Sequence, residues 1–352
     1  MKIGLLTFHD TNNFGSYLQT YGLYKKINDL GYDCEVIDYQ CASIVKREVP
    51  QPYHFSLNPK QIIIDLLINP SKKRKYHNLI LFLKNNMSMS RRVGKDNIFT
   101  IEGNYDKIFV GSDIVWGLDI TDRDTTYFLD FVKNKKKKYA FSSSIGNAWS
   151  IDDKRLVEPF LRDFCIITVR ENESADWVEE LTGKRPKTVC DPTMLLSANE
   201  WALLASQNYS KKKYVLVYFP TETSLKDAKR YAKAHQVPCY VINQALPIKG
   251  VTNVNPVCLQ DFLSLFRFAT FVFTGSYHGM LFSIYFNREF AFYNRAHKSR
   301  MVTLASRLGL QDRDASENDV LKMSSINYCV VDAAVELYRE ESIQCLKEML
   351  ER

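Results

Sequence analysis

The sequence contains no long apolar run. None of its 352 residues lies in an apolar stretch approaching the length of a membrane-spanning helix, about 20 residues. The first residues, "MKIGLLTFHD", also lack the extended apolar core and small-residue cleavage site of a signal peptide, and they predict a β-strand instead. We therefore expect a cytoplasmic protein.

Paired cysteines and metal-binding motifs are absent as well. The eight cysteines are scattered and include no C-x-x-C pair, and the six histidines show no H-E-x-x-H or comparable spacing. Without an export signal, the cysteines are expected to be free and mostly buried thiols. We expect neither a disulfide framework nor a metal site, and the chain has no internal repeat.

Positive charge is concentrated in one segment. The net charge is +7, and residues 60–95 hold nine Lys and Arg residues but a single acid, with short apolar patches flanking "KKRK". Such a segment can make peripheral contact with an anionic membrane surface, or it can form a solvated helical hairpin whose apolar side packs on the core. Both interpretations stay open here. The basic runs lack interleaved exposed aromatics, so we expect no nucleic-acid partner.

Strand-like and helix-like segments alternate along most of the chain. This alternation predicts an α/β fold with parallel sheets, and the length predicts two domains. We predict a Rossmann-like N-terminal domain at 1–197, with a basic helical insertion at about 56–95. A second Rossmann-like domain is predicted at 198–325. For the C-terminal helix, 326–352, packing back on the N-terminal domain is one option.

Sheets of this kind bind ligands beyond the carboxyl ends of their strands. Five predicted strands end in small or polar turns, at 9–16, 111–117, 142–147, 170–172 and 275–279. The last turn places His278 where a strand ends and an apolar helix starts. A histidine can exchange a proton near neutral pH, and the following helix offers free N–H groups to an anion. The alternative is a core histidine that hydrogen-bonds to the backbone.

Six segments, in the same order along the chain, make the sequence similar to the polysaccharide pyruvyl transferase family. They are "TFHDTNNFGSYLQTYGL", "VGSDIVWG", "TVRENESADWVEELTG", "CDPTMLL", "TGSYHGMLFSIYFNREF" and "KSRMVTLASRLGL", and the similarity runs from residue 3 to about 313. Members of this family move pyruvate from phosphoenolpyruvate to a sugar as a ketal. The resemblance implies a GT-B-like architecture, with two Rossmann-like domains facing a central cleft.

The resemblance also implies a donor site for phosphoenolpyruvate. The residues of this chain that would form the donor site are Arg170, Ser276, Tyr277, His278, Gly279, Lys298 and Arg300. His278 is the implied catalytic residue, and Arg170 matches the arginine of the family's "VRE" motif, where a guanidinium can pair with phosphate or carboxylate. An ion pair with Glu171 or Glu173 is the alternative for Arg170. Some relatives carry an arginine in place of Ser276, so a cation is expected from Arg300 or, second, from Lys298.

The N-terminal domain is the implied acceptor side. Its candidate residues are Asn12, Asn13, Gly15, Gln19, Ser112, Asp113 and Trp116. Amides and a carboxylate can bind sugar hydroxyls, and an indole can lie against sugar C–H groups. Asp113 is the candidate catalytic base for the attacking hydroxyl. Helix capping is the alternative for Asn12 and for Asp113.

The implied reaction transfers pyruvate from phosphoenolpyruvate to a hexose, typically galactose, and releases phosphate. The acceptor would be a capsular or exopolysaccharide repeat unit or its lipid-linked precursor, such as an undecaprenyl-linked oligosaccharide. A lipid-linked acceptor would place the protein at the inner face of the membrane. No cofactor is expected. Two alternatives remain, a glycosyltransferase using a nucleotide sugar and a non-catalytic sugar-binding module.

Overall fold

Two separate parallel sheets form the framework of the protein. The computed structural model describes residues 1–50, 59–294 and 298–352, with side chains described outside 59–67 and 298–299. The strands, in chain order, are β1 (Lys2–Leu6), β2 (Asp33–Val36), β3 (Lys107–Val110), β4 (Lys138–Ser143), β5 (Ile166–Val169), β6 (Lys187–Thr188), β7 (Val215–Tyr218), β8 (Cys239–Ile242), β9 (Thr252–Val254), β10 (Phe271–Thr274) and β11 (Glu289–Phe292).

Helices connect most of these strands. They are α1 (Phe14–Asp29), α2 (Ala42–Glu48), α3 (Pro59–Asn86), α4 (Leu118–Thr121), α5 (Ile151–Leu161), α6 (Asn172–Thr182), α7 (Ala198–Leu204), α8 (Glu222–Ala234), α9 (Leu259–Arg267), α10 (Tyr277–Tyr285), α11 (Lys298–Leu308) and α12 (Tyr328–Glu351). Within the part of the chain that the structure describes, no helix is long and apolar enough to cross a membrane.

The first sheet has the strand order β2-β1-β3-β4-β5-β6, and every pairing is parallel. The "KIFV" run of β3 is buried along its whole length, as expected for a strand covered on both faces. The strand order reverses between β1 and β3, where Leu6 pairs with Val110. At such a switch point the loops after the two strands diverge and leave room for a ligand.

The second sheet has the strand order β11-β10-β7-β8-β9, again fully parallel. Counted from β9, this is the Rossmann order 3-2-1-4-5. Its switch point lies between β7 and β10, where Tyr218 pairs with Thr274. All nine residues of α10, which starts just beyond β10, are buried.

The described residues group into two units, each containing one sheet. The first unit comprises 1–49, 80–196 and 335–352, and the second comprises 197–334 together with the described residues of 50–79. The prediction had assigned the whole basic segment to the N-terminal domain. Its residues up to Leu79 instead belong to the second unit, because the polar side chains of this stretch hydrogen-bond to loops that follow β8 and β9.

The helical hairpin, one of the two interpretations of the basic segment, does not form in its described residues. Residues 59–86 form one continuous helix, α3, which includes Pro70 in its interior. The alternation predicted for the rest of the chain is confirmed, including the strands before all five polar turns. The short strand β9 and helix α5 had no sequence prediction. β9 has only three residues and α5 contains Pro159, so neither carries a long periodic signal.

Candidate active-site residues at the carboxyl edges of the two sheets

Internal hydrogen bonds brace the switch point of the first sheet. Ser112 N donates to Gln19 Oε1 at 3.2 Å, Gln19 Nε2 donates to Thr7 Oγ1 at 2.9 Å, and Thr7 Oγ1 donates to the Ser112 carbonyl at 3.0 Å. Gln19 and Ser112 have no exposed surface. Both were predicted to bind the acceptor, but in this structure their polar groups hold the loops after β1 and β3 together.

Capping organises the β1–α1 turn. Asn13 is the N-cap of α1, and its Oδ1 accepts a hydrogen bond from Gly15 N at 3.0 Å. The sequence analysis considered helix capping for Asn12, but the neighbouring Asn13 is the residue that caps α1. Asn12 and Asn13 are both partly exposed, whereas Gly15 is buried. Of these three predicted acceptor residues, the two asparagines can therefore reach a ligand.

Asp113 is a largely buried carboxylate at this edge, with 13% of its side chain exposed. Its Oδ2 accepts from Ser16 Oγ at 2.9 Å, and its Oδ1 accepts from Ile114 N at 2.9 Å. The backbone of Asp113 has φ +74°, in the left-handed region that few residues other than glycine adopt. Such strain persists where the surrounding structure imposes it, and it is common at functional sites.

The guanidinium of Arg170 lies among three carboxylates. Nη1 is 2.7 Å from Asp191 Oδ2, Nε is 3.8 Å from Glu171 Oε2, and Nη2 is 3.9 Å from Asp113 Oδ1. The side chains of Arg170 and Asp191 have no exposed surface. The alternative considered for Arg170 was a surface or domain-bridging ion pair with Glu171 or Glu173, but the guanidinium is buried and Asp191 is its tightest partner. Its direct contact with the donor stays a prediction.

Trp116 does not fit its predicted role. The indole is fully buried, stacks on Phe128 with ring centroids 5.5 Å apart, and donates from Nε1 to the Tyr127 carbonyl at 2.9 Å. One face is covered by Phe128, the N–H group is already bonded, and no part of the residue is exposed. The described structure therefore leaves no indole face for a sugar ring.

A histidine that the sequence analysis did not single out lies directly after β1. His9 Nδ1 is 3.2 Å from the Thr7 carbonyl and Nε2 is 3.1 Å from Asp38 Oδ1. Both ring nitrogens of this buried histidine therefore lie within hydrogen-bond distance of an oxygen atom. Burial raises the pKa of Asp38, but the hydrogen bond from His9, followed by the charges of His9 and Arg92, lowers it below its ordinary value.

The second sheet brings several predicted donor residues together. Ser276 is the N-cap of α10, and His278 lies in the first turn of this helix, with 8% of the residue exposed. A Cβ at Gly279 would overlap the Thr274 hydroxyl, so only glycine lets α10 start this close to β10. Arg300 places its guanidinium 5.9 Å from the centre of the Tyr277 ring, in cation–π range.

These contacts agree with the expectation that Arg300 lies near the "SYHG" turn. The backbone of Lys298 begins α11, and its side chain lies outside the described residues. Ser276 and Arg300 are partly exposed, so a ligand can reach both a hydroxyl and a cation. In residues 1–50, 59–294 and 298–352, no group of three or more His, Cys, Asp or Glu side chains could hold a metal ion.

The chain belongs to the polysaccharide pyruvyl transferase family, whose family model matches residues 13–297. This membership implies a transferase that acts on polysaccharide. None of the curated proteins matches the chain.

Several solved structures are similar to this chain along most of its length. An α-glucosyltransferase in complex with UDP has a TM-score of 0.51 and 9% identity, covering 100% of this chain and 99% of that one. UDP-N-acetylglucosamine 2-epimerase from Rickettsia bellii has a TM-score of 0.49 and 7% identity, covering 99% and 96%. UDP-GlcNAc 2-epimerase from Neisseria meningitidis has a TM-score of 0.46 and 9% identity, covering 99% of each chain.

These likenesses concern fold alone. The predicted α/β class, with two parallel sheets consistent with two Rossmann-like domains, is confirmed.

Proposed function

We propose that this protein transfers pyruvate from phosphoenolpyruvate to a hexose of a polysaccharide repeat unit or its lipid-linked precursor. The product is a pyruvate ketal, and phosphate is released. Galactose is the proposed hexose. The observation that carries this proposal is the placement of His278, at the N-terminus of a buried helix beside the β7–β10 switch point, with Arg300 near the same turn.

The donor is assigned to the carboxyl edge of the second sheet. Phosphoenolpyruvate carries a phosphate and a carboxylate, and α10 offers N–H groups and the positive end of its dipole to an anion. Arg300 adds a cation that can pair with either oxyanion. His278 is the group at this edge that can give a proton to the donor.

The proposed chemistry balances without a redox cofactor or a metal. A proton adds to the methylene carbon of phosphoenolpyruvate, and a sugar hydroxyl attacks the carbon that bears the phosphate. The C–O bond to phosphate then breaks, and a second hydroxyl of the same sugar closes the ketal. Of the two hydroxyl protons, one replaces the proton placed on the methylene carbon and the other leaves with phosphate. His278 donates either to carbon or to the departing phosphate.

The acceptor is assigned to the carboxyl edge of the first sheet. Asp113 is the proposed base for the attacking hydroxyl, because its carboxylate is held by Ser16 at a strand end and keeps 13% of its side chain exposed. Asn12 and Asn13 are the proposed hydroxyl ligands. A lipid-linked acceptor would bring the protein to the inner face of the membrane, and the basic segment could assist that contact.

The test is phosphate release from phosphoenolpyruvate with a panel of galactosides. We expect release that depends on the acceptor and falls about a hundredfold or more in His278→Ala, since general acid–base groups contribute 10²–10⁴-fold. His235→Ala is the matched control, because His235 is exposed at the C-cap of α8. It should retain wild-type release.

The two alternatives predict different results. A glycosyltransferase would release nucleoside diphosphate from a nucleotide sugar and no phosphate from phosphoenolpyruvate. A sugar-binding module would bind galactosides equally well in wild type and His278→Ala, with no release in either. Absence of release from wild type with every acceptor would overturn the proposed function.

A further inference from the structure

One lysine of the basic segment is buried, unlike the residue next to it. Lys75 in α3 is only 5% exposed, whereas Arg74 is exposed. Taking an ammonium group out of water costs several kcal/mol unless oxygen atoms surround it. Its burial sets Lys75 apart from the exposed charge of Arg74 in the same helix.

Hydrogen bonds place this part of α3 at the carboxyl edge of the second sheet. All three join a polar side chain of the helix to the loops after β8 and β9. They are Lys75 Nζ to Gln244 Oε1 at 3.3 Å, Asn78 Nδ2 to the Val257 carbonyl at 3.0 Å, and Asn255 Nδ2 to Ser71 Oγ at 2.6 Å. The ammonium therefore lies at the edge of the sheet to which the donor has been assigned.

The amide of Gln244 adds a second hydrogen-bond donor beside the ammonium of Lys75. Its Oε1 accepts from Lys75, while its Nε2 is buried and donates to no atom of the described residues. An unsatisfied buried donor costs about 1–3 kcal/mol. A carboxylate or phosphate oxygen can accept a hydrogen bond from this amide and pair with the ammonium beside it, whereas an apolar group can do neither.

The position of this pair suits a small anion bound near His278. Gln244 follows β8 and His278 follows β10, with β7 between the two strands. Two strand spacings amount to about 10 Å. A three-carbon phosphorylated substrate with a hydrogen bond of about 3 Å at each end can bridge such a distance.

We propose that Lys75 and Gln244 form an oxyanion subsite that binds the carboxylate or the phosphate of phosphoenolpyruvate. This inference rests on the proposed function, since it names the residues that would hold one end of the donor. It also supplies a cation at an edge where Ser276 occupies the position of an arginine in some relatives. The basic segment thereby contributes to substrate binding through a single buried side chain.

The experiment measures phosphoenolpyruvate binding by titration calorimetry on the full chain, alongside KM values in the phosphate-release assay. Lys75→Met removes the charge and keeps the length of the side chain, and Gln244→Leu removes the amide donor. Each should raise the Kd for phosphoenolpyruvate, by about tenfold or more for Lys75→Met, as loss of a charge-assisted hydrogen bond predicts. Arg74→Met removes an exposed charge from the same helix and should change the Kd less than twofold.

The outcomes separate this inference from the proposed function. If both variants fold and bind phosphoenolpyruvate as tightly as Arg74→Met, the subsite is refuted. A rise in the acceptor KM with an unchanged phosphoenolpyruvate Kd also refutes it, because the residues would then serve the acceptor. If wild type binds phosphoenolpyruvate but transfers pyruvate to no acceptor, while Lys75→Met loses binding, the subsite stands and the proposed function fails. Lys75→Arg should recover part of the affinity.

Discussion

Substitution of Arg170 tests whether the arginine of the "VRE" motif supports the first unit or contacts the donor. In Arg170→Met, the carboxylate of Asp191 would stay buried without its cation, which is 2.7 Å away in the wild type. Removing one partner of a buried ion pair costs about 3–5 kcal/mol. With a urea m-value of about 2 kcal/mol per M, the unfolding midpoint should fall by roughly 2 M.

Tryptophan fluorescence is a suitable readout for this unfolding. Trp116, Trp149 and Trp177 lie in the first unit, and Trp201 lies in the second. The urea transition of the first unit should therefore dominate the signal. Arg155→Met is the matched control, because Arg155 is 77% exposed and its pairing with Asp152 spans 3.6 Å. Its free energy of unfolding should change by less than about 1 kcal/mol.

A double variant distinguishes the stability lost with the whole Arg170–Asp191 pair from the stability lost when only Arg170 is removed. In the double variant Arg170→Met/Asp191→Leu, no buried charge of that pair is left alone, so part of the lost stability should return. If Arg170→Met unfolds like the control and instead weakens phosphoenolpyruvate binding, the internal ion pair is not its main role. Arg170 would then be a donor ligand, as the resemblance implies.

Three further predictions concern other positions at the sheet edges. Gly279→Ala should lower stability by about 1–3 kcal/mol in a urea titration, because its Cβ would overlap the Thr274 hydroxyl; an unchanged midpoint would contradict this packing. Asp38→Asn should cost about 2 kcal/mol at pH 7. The folded pKa of Asp38 is lowered, so the stabilisation given by its carboxylate is present above its ordinary pKa and is lost as the pH falls through the folded value. The difference in free energy of unfolding between Asp38→Asn and wild type should therefore shrink below about pH 4. A difference that grows on acidification would contradict the lowered pKa of Asp38. Asp113→Asn should reduce phosphate release about a hundredfold while the Kd for phosphoenolpyruvate is kept, and weaker donor binding would argue against a role as base.

Much of the fold could be predicted because its signals are local. The buried runs "KIFV", "VLVY" and "FVFT" consist mainly of β-branched, aromatic and other apolar residues, and each is a strand. The capping turn before α1 and the turn before α10 were also recognisable from nearby residues. The single helix in place of a hairpin at 59–86 was not, because Pro70 and its basic neighbours are typical of a break in a helix.

The sequence by itself therefore determined the alternation of strands and helices and the turns in which functional residues lie, because both depend on neighbours within a few positions. Only the tertiary structure decided which polar groups in those turns are accessible. The pairing of Arg170 with Asp191 joins residues 21 positions apart, that of Ser16 with Asp113 spans 97, and that of Lys75 with Gln244 spans 169. No local pattern encodes these partners, since strand order and packing bring them together.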